Sequence, residues 1–163
     1  FLEECDEKLI LFGHHKDVLG PLHQRYQTFS ILVDGSVAKQ KRQDAWDRFN
    51  KDPKSRILIG EFTAAGVGQS ASDCSTVAFA ELDWTPGIIT QCEDRTHGIG
   101  RGRAGTHSTS HFLLARGTIE EKLCELLQWK QKNLSEVLDG EVSKNGRGEL
   151  DLHDLLIEKL LED

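Results

Sequence analysis

The sequence predicts an α/β fold, an open parallel sheet with helices on both faces. Three observations carry that expectation. Apolar runs of strand length alternate along the chain with amphipathic segments of helix length, the pattern of repeated strand–helix crossovers. The first run, Lys8-Leu-Ile-Leu-Phe-Gly13, is continuously apolar and ends in glycine, as suits a strand buried on both sides. Polar or small-residue loops, Asp34-Gly35-Ser36, Thr63 to Gly68 and Glu81 to Pro86, follow later strands, at the sheet edge where open parallel sheets take ligands.

The elements follow in order. After the first strand a helical stretch is expected to about Tyr26, with Gly20-Pro21 breaking or restarting it. Thr28 to Val33 reads as the second strand. Ser36 is placed to cap the next helix, which is expected to bury Ala38, Ala45, Trp46 and Phe49 and to stop at Asp52-Pro53. Arg56 to Ile59 is the third strand, running into the small-residue loop Glu61 to Gly68. Ser75 to Ala80 is the fourth. Thr85 is a good N-cap and Pro86 suits a first helical position. His111 to Ala115 is the fifth strand. Thr118 and Glu121 form a capping-box pattern for a long helix with Ile119, Leu123, Leu126, Leu127, Leu134 and Leu138 inward. Lys144 to Gly148 reads as a linker, and Leu152, Leu155, Leu156, Leu160 and Leu161 as an acidic amphipathic helix. The expected organisation is a main domain over 1–140, a linker over 141–149 and a helix over 150–163.

Composition narrows the function. A chain of 163 residues suits one domain with its own core. It opens at Phe1 and contains no methionine, and it reads as a piece of a longer polypeptide. No apolar run is long enough to cross a bilayer and no secretory signal is visible, so no membrane partner is expected. Cys5, Cys74, Cys92 and Cys124 lie far apart without a CxxC pair, which favours reduced thiols in an intracellular protein and no metal site. The net charge of -7 argues against a general nucleic-acid coat, so any nucleic-acid contact must come from a local basic patch.

The chemistry centres on Gln91-Cys-Glu-Asp-Arg95-Thr-His-Gly98-Ile-Gly100-Arg101. On a helix that begins at Pro86, Gln91, Arg95 and Gly98 fall at i, i+4 and i+7 and share one face. A glutamine and an arginine beside a glycine-rich tail suit a phosphate oxyanion. Gly66 and Gly68 let a backbone approach a phosphate closely; the plainer reading is a tight turn that binds nothing. Trp84 is open to two readings, an indole stacked on nucleic acid or core packing over the sheet end. Lys39, Lys41 and Arg42 form the best basic cluster, and Arg101 and Arg103 another; each is either a solvated face or a phosphate contact. His14 and His15 diverge as neighbours, and packing or hydrogen bonding suits them better than metal binding.

Together with Leu11-Phe-Gly-His-His15, Val33-Asp-Gly-Ser36 with Arg42 and Phe49, Thr63-Ala-Ala-Gly66-Val-Gly68, Phe79-Ala-Glu-Leu-Asp-Trp84-Thr-Pro86 and Gly117-Thr-Ile-Glu-Glu121, this segment resembles a known family. The likeness is to the second RecA-like lobe of the Swi/Snf-type ATPases of helicase superfamily two, nearest their annealing-helicase branch. It runs from about Lys8 to about Leu138. It implies a RecA-like sheet and an ATP-driven motor on double-stranded or branched DNA that remodels or reanneals it. Two lobes would hold ATP between them, and the Mg2+ would be held by the N-terminal lobe. This chain has no GxxxxGK[ST] and is expected to be inactive alone. By resemblance Gln91, Arg95, Gly66 and Gly68 serve ATP, with Arg95 and Arg101 the catalytic cations. Thr63, Trp84, Lys39 and Arg42 would touch DNA. A eukaryotic source would imply the nucleus, a bacterial or viral one the cytoplasm or nucleoid.

One position departs from the family. Arginine is usual where this chain has Gly98, and glutamine where it has Arg101. The missing arginine is the usual finger, worth on the order of 10³ or more in rate. Three readings are open: an impaired lobe, Arg101 as a substitute, or a mutation or sequence error. The alternative to a motor lobe is therefore a degenerate lobe that binds DNA or protein. An unrelated doubly wound enzyme would need GxGxxG after the first strand, where this chain has Phe12-Gly13-His14-His15.

Overall fold

The computed structural model describes residues 6–65, 70–71, 73–96 and 108–138, the last eight in backbone only. Gly66, Gly68, Gly98, Arg101, Arg103 and the expected linker and terminal helix lie outside the described residues. The chain divides into two compact units, Phe1–Asp83 with Gly87–Leu113, and Trp84–Pro86 with Leu114–Asp163.

The first unit holds a five-stranded sheet in the order β2-β3-β1-β4-β5, every pairing parallel. The strands are β1 (Leu9–Gly13), β2 (Ser30–Val33), β3 (Ile57–Glu61), β4 (Thr76–Phe79) and β5 (Thr109–Phe112). The register aligns Val33, Gly60, Phe12, Phe79 and Phe112 across the sheet, so all five carboxyl ends reach one edge. From β1 the chain leaves toward β2; from β4 it leaves the opposite way toward β5. The topological switch point therefore lies between β1 and β4.

Both faces of the central strands are buried, as the continuous apolar run requires. On one face Leu9, Leu11, Ile57, Ile59 and Ala78 form a core with Leu19. On the other, Ile10 and Leu58 are fully buried, and Phe12, Phe62 and Phe79 stack with ring centroids about 6 Å apart. Each such aromatic pair contributes about 1 kcal/mol beyond its buried area.

Helix α1 (Lys16–Arg25) runs unbroken through Gly20-Pro21, contrary to expectation. Pro21 is exposed, so the Asp17 carbonyl it leaves without a helical donor faces the solvent side, while Leu19 and Leu22 anchor the helix to the core. Helix α2 (Lys39–Lys51) buries Trp46 and Phe49 and ends before Pro53 as expected. Ser36 does not cap it. Its N–H and Oγ both donate to Asp34 Oδ1, at 2.8 and 2.5 Å, closing an Asx turn, and the exposed Ala38 occupies the N-cap. At the other end Lys8 Nζ donates to the carbonyls of Phe49, Asn50 and Asp52, a remote cap on the helix terminus.

The loop after β3 begins with one helical turn, α3 (Phe62–Ala65). Helix α4 spans Pro86–Glu93. β5 starts and ends earlier than expected because its pairing follows Thr76 to Phe79. In the second unit α5 covers Ile119–Leu138 and buries Leu123, Leu126 and Leu127, whereas Ile119 is half exposed. The capping box is displaced by one residue. Thr118 Oγ1 accepts from the Glu120 N–H at 3.3 Å, and Glu121 accepts from the Gly117 N–H at 3.0 Å.

Candidate functional site at the carboxyl edge of the sheet

Gln91 and Arg95 do not share a continuous helical face. Helix α4 closes at Glu93, and the Arg95 and Thr96 N–H groups turn back to the Cys92 and Glu93 carbonyls at 3.1 and 3.0 Å. The two residues nonetheless meet, because Arg95 Nε donates to the Gln91 carbonyl at 2.9 Å. The last carbonyls of a helix lack intrahelical donors, and a basic side chain is a favourable partner for them. The Gln91 side chain is exposed and Arg95 is partly so.

This turn is anchored rather than loose. Ser110 Oγ donates to Glu93 Oε1 at 2.7 Å, and Thr96 Oγ1 donates to the Glu93 carbonyl at 2.7 Å and lies 2.5 Å from Ser108 Oγ. Cys92 is fully buried beneath it, and burial pushes its thiol up to about 12, so it carries no nucleophile. The Ala71 N–H donates to the Arg95 carbonyl at 2.8 Å. Through that bond the segment following the Gly66–Gly68 loop is tied to the Arg95 turn.

A second cluster joins the loops after β2 and β3. Glu61 Oε2 accepts from the Gly35 N–H at 2.6 Å, and Thr63 Oγ1 donates to Glu61 Oε1 at 3.3 Å. Arg42 Nε donates to the Val37 carbonyl at 2.7 Å and Arg42 Nη2 to the Gly35 carbonyl at 3.3 Å, so Arg42 shapes this loop. Lys39 is exposed at the start of α2. Asp34 is held below the usual carboxylate range, chiefly by the Ser36 hydroxyl, against a smaller opposing effect of burial. Gly60 lies so close to α3 that a Cβ there would meet Ala65 Cβ at 2.4 Å. That close approach seats the helical turn carrying Thr63.

A third cluster, between β1 and β4, was not foreseen in the sequence. Glu81 accepts from the backbone N–H groups of His14 and His15 at 2.8 and 2.9 Å, and its other oxygen lies 2.6 Å from His15 Nδ1. His14 Nε2 lies 3.0 Å from Asp83 Oδ2. The available signal was a pair of carboxylates, Glu81 and Asp83, directly after a buried strand at the edge where ligands are taken.

Thr63 and Arg42 thus share one cluster, and Gln91 and Arg95 share another. In the second unit, Trp84 is 46% exposed. Among the described residues no group of three or more His, Cys, Asp or Glu side chains is arranged to hold a metal ion.

Comparison with known proteins gives this edge a context. The helicase conserved C-terminal domain family matches residues 1–100. The chain is 36% identical over 139 residues to the SWI/SNF-related matrix-associated actin-dependent regulator of chromatin subfamily A-like protein 1 of Xenopus tropicalis, covering 83% of this chain and 14% of that protein. It is 35% identical over 146 residues to the human DNA annealing helicase and endonuclease ZRANB3, covering 88% of this chain and 13% of that protein. The chain therefore spans about a seventh of the length of these relatives. The crystal structure of the C-terminal part of the Fun30 ATPase domain superposes with a TM-score of 0.64 at 24% identity, over 73% of this chain and 38% of that one, and shares the α/β fold. With a family match over more than half of its length and relatives of this kind, the chain belongs to the helicase conserved C-terminal domain family, as a lobe of the Swi/Snf type.

Proposed function

We propose that the chain is the C-terminal motor lobe of a DNA-dependent ATPase that remodels or reanneals DNA. One observation carries the reading furthest: the Ala71 N–H to Arg95 carbonyl bond at 2.8 Å brings the segment after the Gly66–Gly68 loop beside the Arg95 turn, which is compatible with one phosphate site shared by the two. The donor set fits such a ligand. A guanidinium has five N–H donors, and the bond from Nε to Gln91 orients it beside an exposed amide. ATP with Mg2+ would supply the transferable phosphoryl group, its metal held by the N-terminal lobe of the same polypeptide. Gln91 would position the phosphate, Arg95 would stabilise its developing charge, and the Gly66 and Gly68 backbone would approach it. Thr63, Trp84, Lys39 and Arg42 would form part of the DNA track. ATP hydrolysis belongs in this reading to the two-lobe protein and not to the lobe alone. The relatives are from eukaryotes, which supports a nuclear setting.

The test is phosphate release by the two-lobe protein with and without duplex and forked DNA. DNA should stimulate it, and Arg95→Ala should lower kcat about a hundredfold or more. No stimulation in either the natural protein or its Gly98→Arg variant would sink the reading. Gly98 favours a second reading, an impaired lobe that binds DNA or protein. That reading expects Gly98→Arg to raise turnover. Arg101 acting as the substitute cation expects instead that Arg101→Ala abolishes it.

A further inference from the structure

Open α/β sheets take ligands in the crevice beyond the strand ends at the topological switch point. Here that crevice lies between β1 and β4, and a carboxylate of the chain itself fills it. Glu81 Oε2 accepts the His14 and His15 N–H groups, the amides just before α1, where a helix N-terminus favours an anion. A Cβ on Gly13 would meet Glu81 Oε2 at 3.0 Å and Leu19 Cδ2 at 2.9 Å, so the strand end is a glycine where the carboxylate closes in. From the same loop His14 reaches Asp83 at 3.0 Å and rests against the Phe62 ring, with centroids 4.6 Å apart. Asp83 is buried and stands three residues before Pro86, the first residue of α4. Two bonds from one loop therefore grip both ends of the short segment from which α4 departs.

We infer that Glu81 is a positioning residue for the interlobe site: it stands in for a phosphate at the switch point and, with His14 and Asp83, fixes where α4 presents Gln91 and Arg95. The inference rests on the proposed motor function. It assigns phosphate binding in this lobe to α4 and its following turn, because the α1 terminus is already neutralised.

The charges facing the clamp give it a pH window. Hydrogen bonding and attraction to Glu81 raise His15 above its ordinary value, slightly opposed by desolvation and aided by Asp17. Desolvation raises Glu81, but the His15 amide and ring and the His14 amide outweigh it and hold the carboxyl below its ordinary value. Lys16, the next charge along, is turned to Asp34 at 3.8 Å. The His15 contribution is complete below the ordinary histidine value and is lost as pH rises through the raised one. The Glu81 contribution is complete above the ordinary carboxyl value and is lost as pH falls through the lowered one. The clamp is tightest between those limits.

Two measurements on the two-lobe protein test this. Glu81→Ala should lower kcat about tenfold or more with a smaller change in KM, as misplacement of catalytic groups does. Glu81→Gln keeps an acceptor for both amides, so it should restore most of the rate while flattening the alkaline fall. Hydrogen exchange needs no activity. In Glu81→Ala, amides of 87–93 should exchange faster along with those of 13–15. Faster exchange confined to 13–15 overturns the inference, as does wild-type kcat in Glu81→Ala or an unchanged pH profile in Glu81→Gln. Absent ATPase in the natural protein with faster exchange at 87–93 overturns the motor reading and leaves the positioning role supported.

Discussion

At the scale of single residues, the tightest constraint in the site is a missing side chain. Gly60 sits in β3 with Phe12 beside it and Ala65 across from it. An added Cβ at 2.4 Å from Ala65 Cβ cannot be absorbed by rotating a flexible side chain, because both atoms are fixed to backbone. Gly60→Ala should therefore cost about 1–3 kcal/mol, the range for overpacking a core. Ala65→Gly in the same chain should recover most of the loss, since it removes the opposing methyl. Urea denaturation of the two single variants and the double variant measures this coupling. A midpoint for Gly60→Ala equal to that of the natural chain would show that α3 shifts freely and that Thr63 is not held by this contact. Arg95 makes the complementary point. Its guanidinium Nε donates to a carbonyl of the helix it follows, a contact set by where α4 ends.

At the scale of elements, departures from the sequence reading come from tertiary contacts that outweigh local signals. Pro21 lies at the sixth position of α1, where proline costs roughly 3 kcal/mol in a helix interior. The helix persists because Leu19 is fully buried and Leu22 packs beside it, while Pro21 itself is exposed. Pro21→Ala restores a donor for the Asp17 carbonyl. It also loosens the unfolded chain by up to about 1 kcal/mol, so the net gain expected is about 2 kcal/mol. Thermal or urea unfolding reads it, and a loss of stability would mean that the ring is held by contacts rather than tolerated. The five strands and most helices were legible because buried parallel strands carry continuous apolar runs and helices carry spaced ones. Boundaries were less legible. Ser36 looks like a cap, yet Asp34 two residues earlier captures it, and the choice between those hydrogen bonds is set by how the β2 exit meets Glu61. The Glu81 cluster was not legible for the same reason: its partners, His14 and His15, lie more than sixty residues away, and only strand order makes them neighbours.

At the scale of the whole molecule, charge and function pull in opposite directions. A net charge of -7 repels a polyanion, so under the proposed function DNA binding by this lobe would rest on a few cations placed where the field is locally positive. Lys39 and Arg42 lie on one helix at i and i+3, yet their surroundings differ. Lys39 is exposed, whereas Arg42 is bound to the Val37 and Gly35 carbonyls and shapes the loop that also holds Glu61. The two substitutions should therefore separate. Each phosphate contact contributes about 0.9 to the slope of log affinity against log salt. In the two-lobe protein, Lys39→Ala should reduce that slope on duplex DNA by about 1 and leave the melting temperature within about a degree. Arg42→Ala should reduce the affinity and also lower the melting temperature, because it removes two hydrogen bonds to carbonyls of the β2–α2 connection, worth about 1 kcal/mol each. Titrations at several salt concentrations beside a melting curve distinguish the cases. A slope unchanged by Lys39→Ala removes that lysine from the DNA track. An Arg42→Ala protein that melts normally while its slope falls by about 1 would make Arg42 a plain phosphate contact, with the loop held by Asp34 and Glu61 alone.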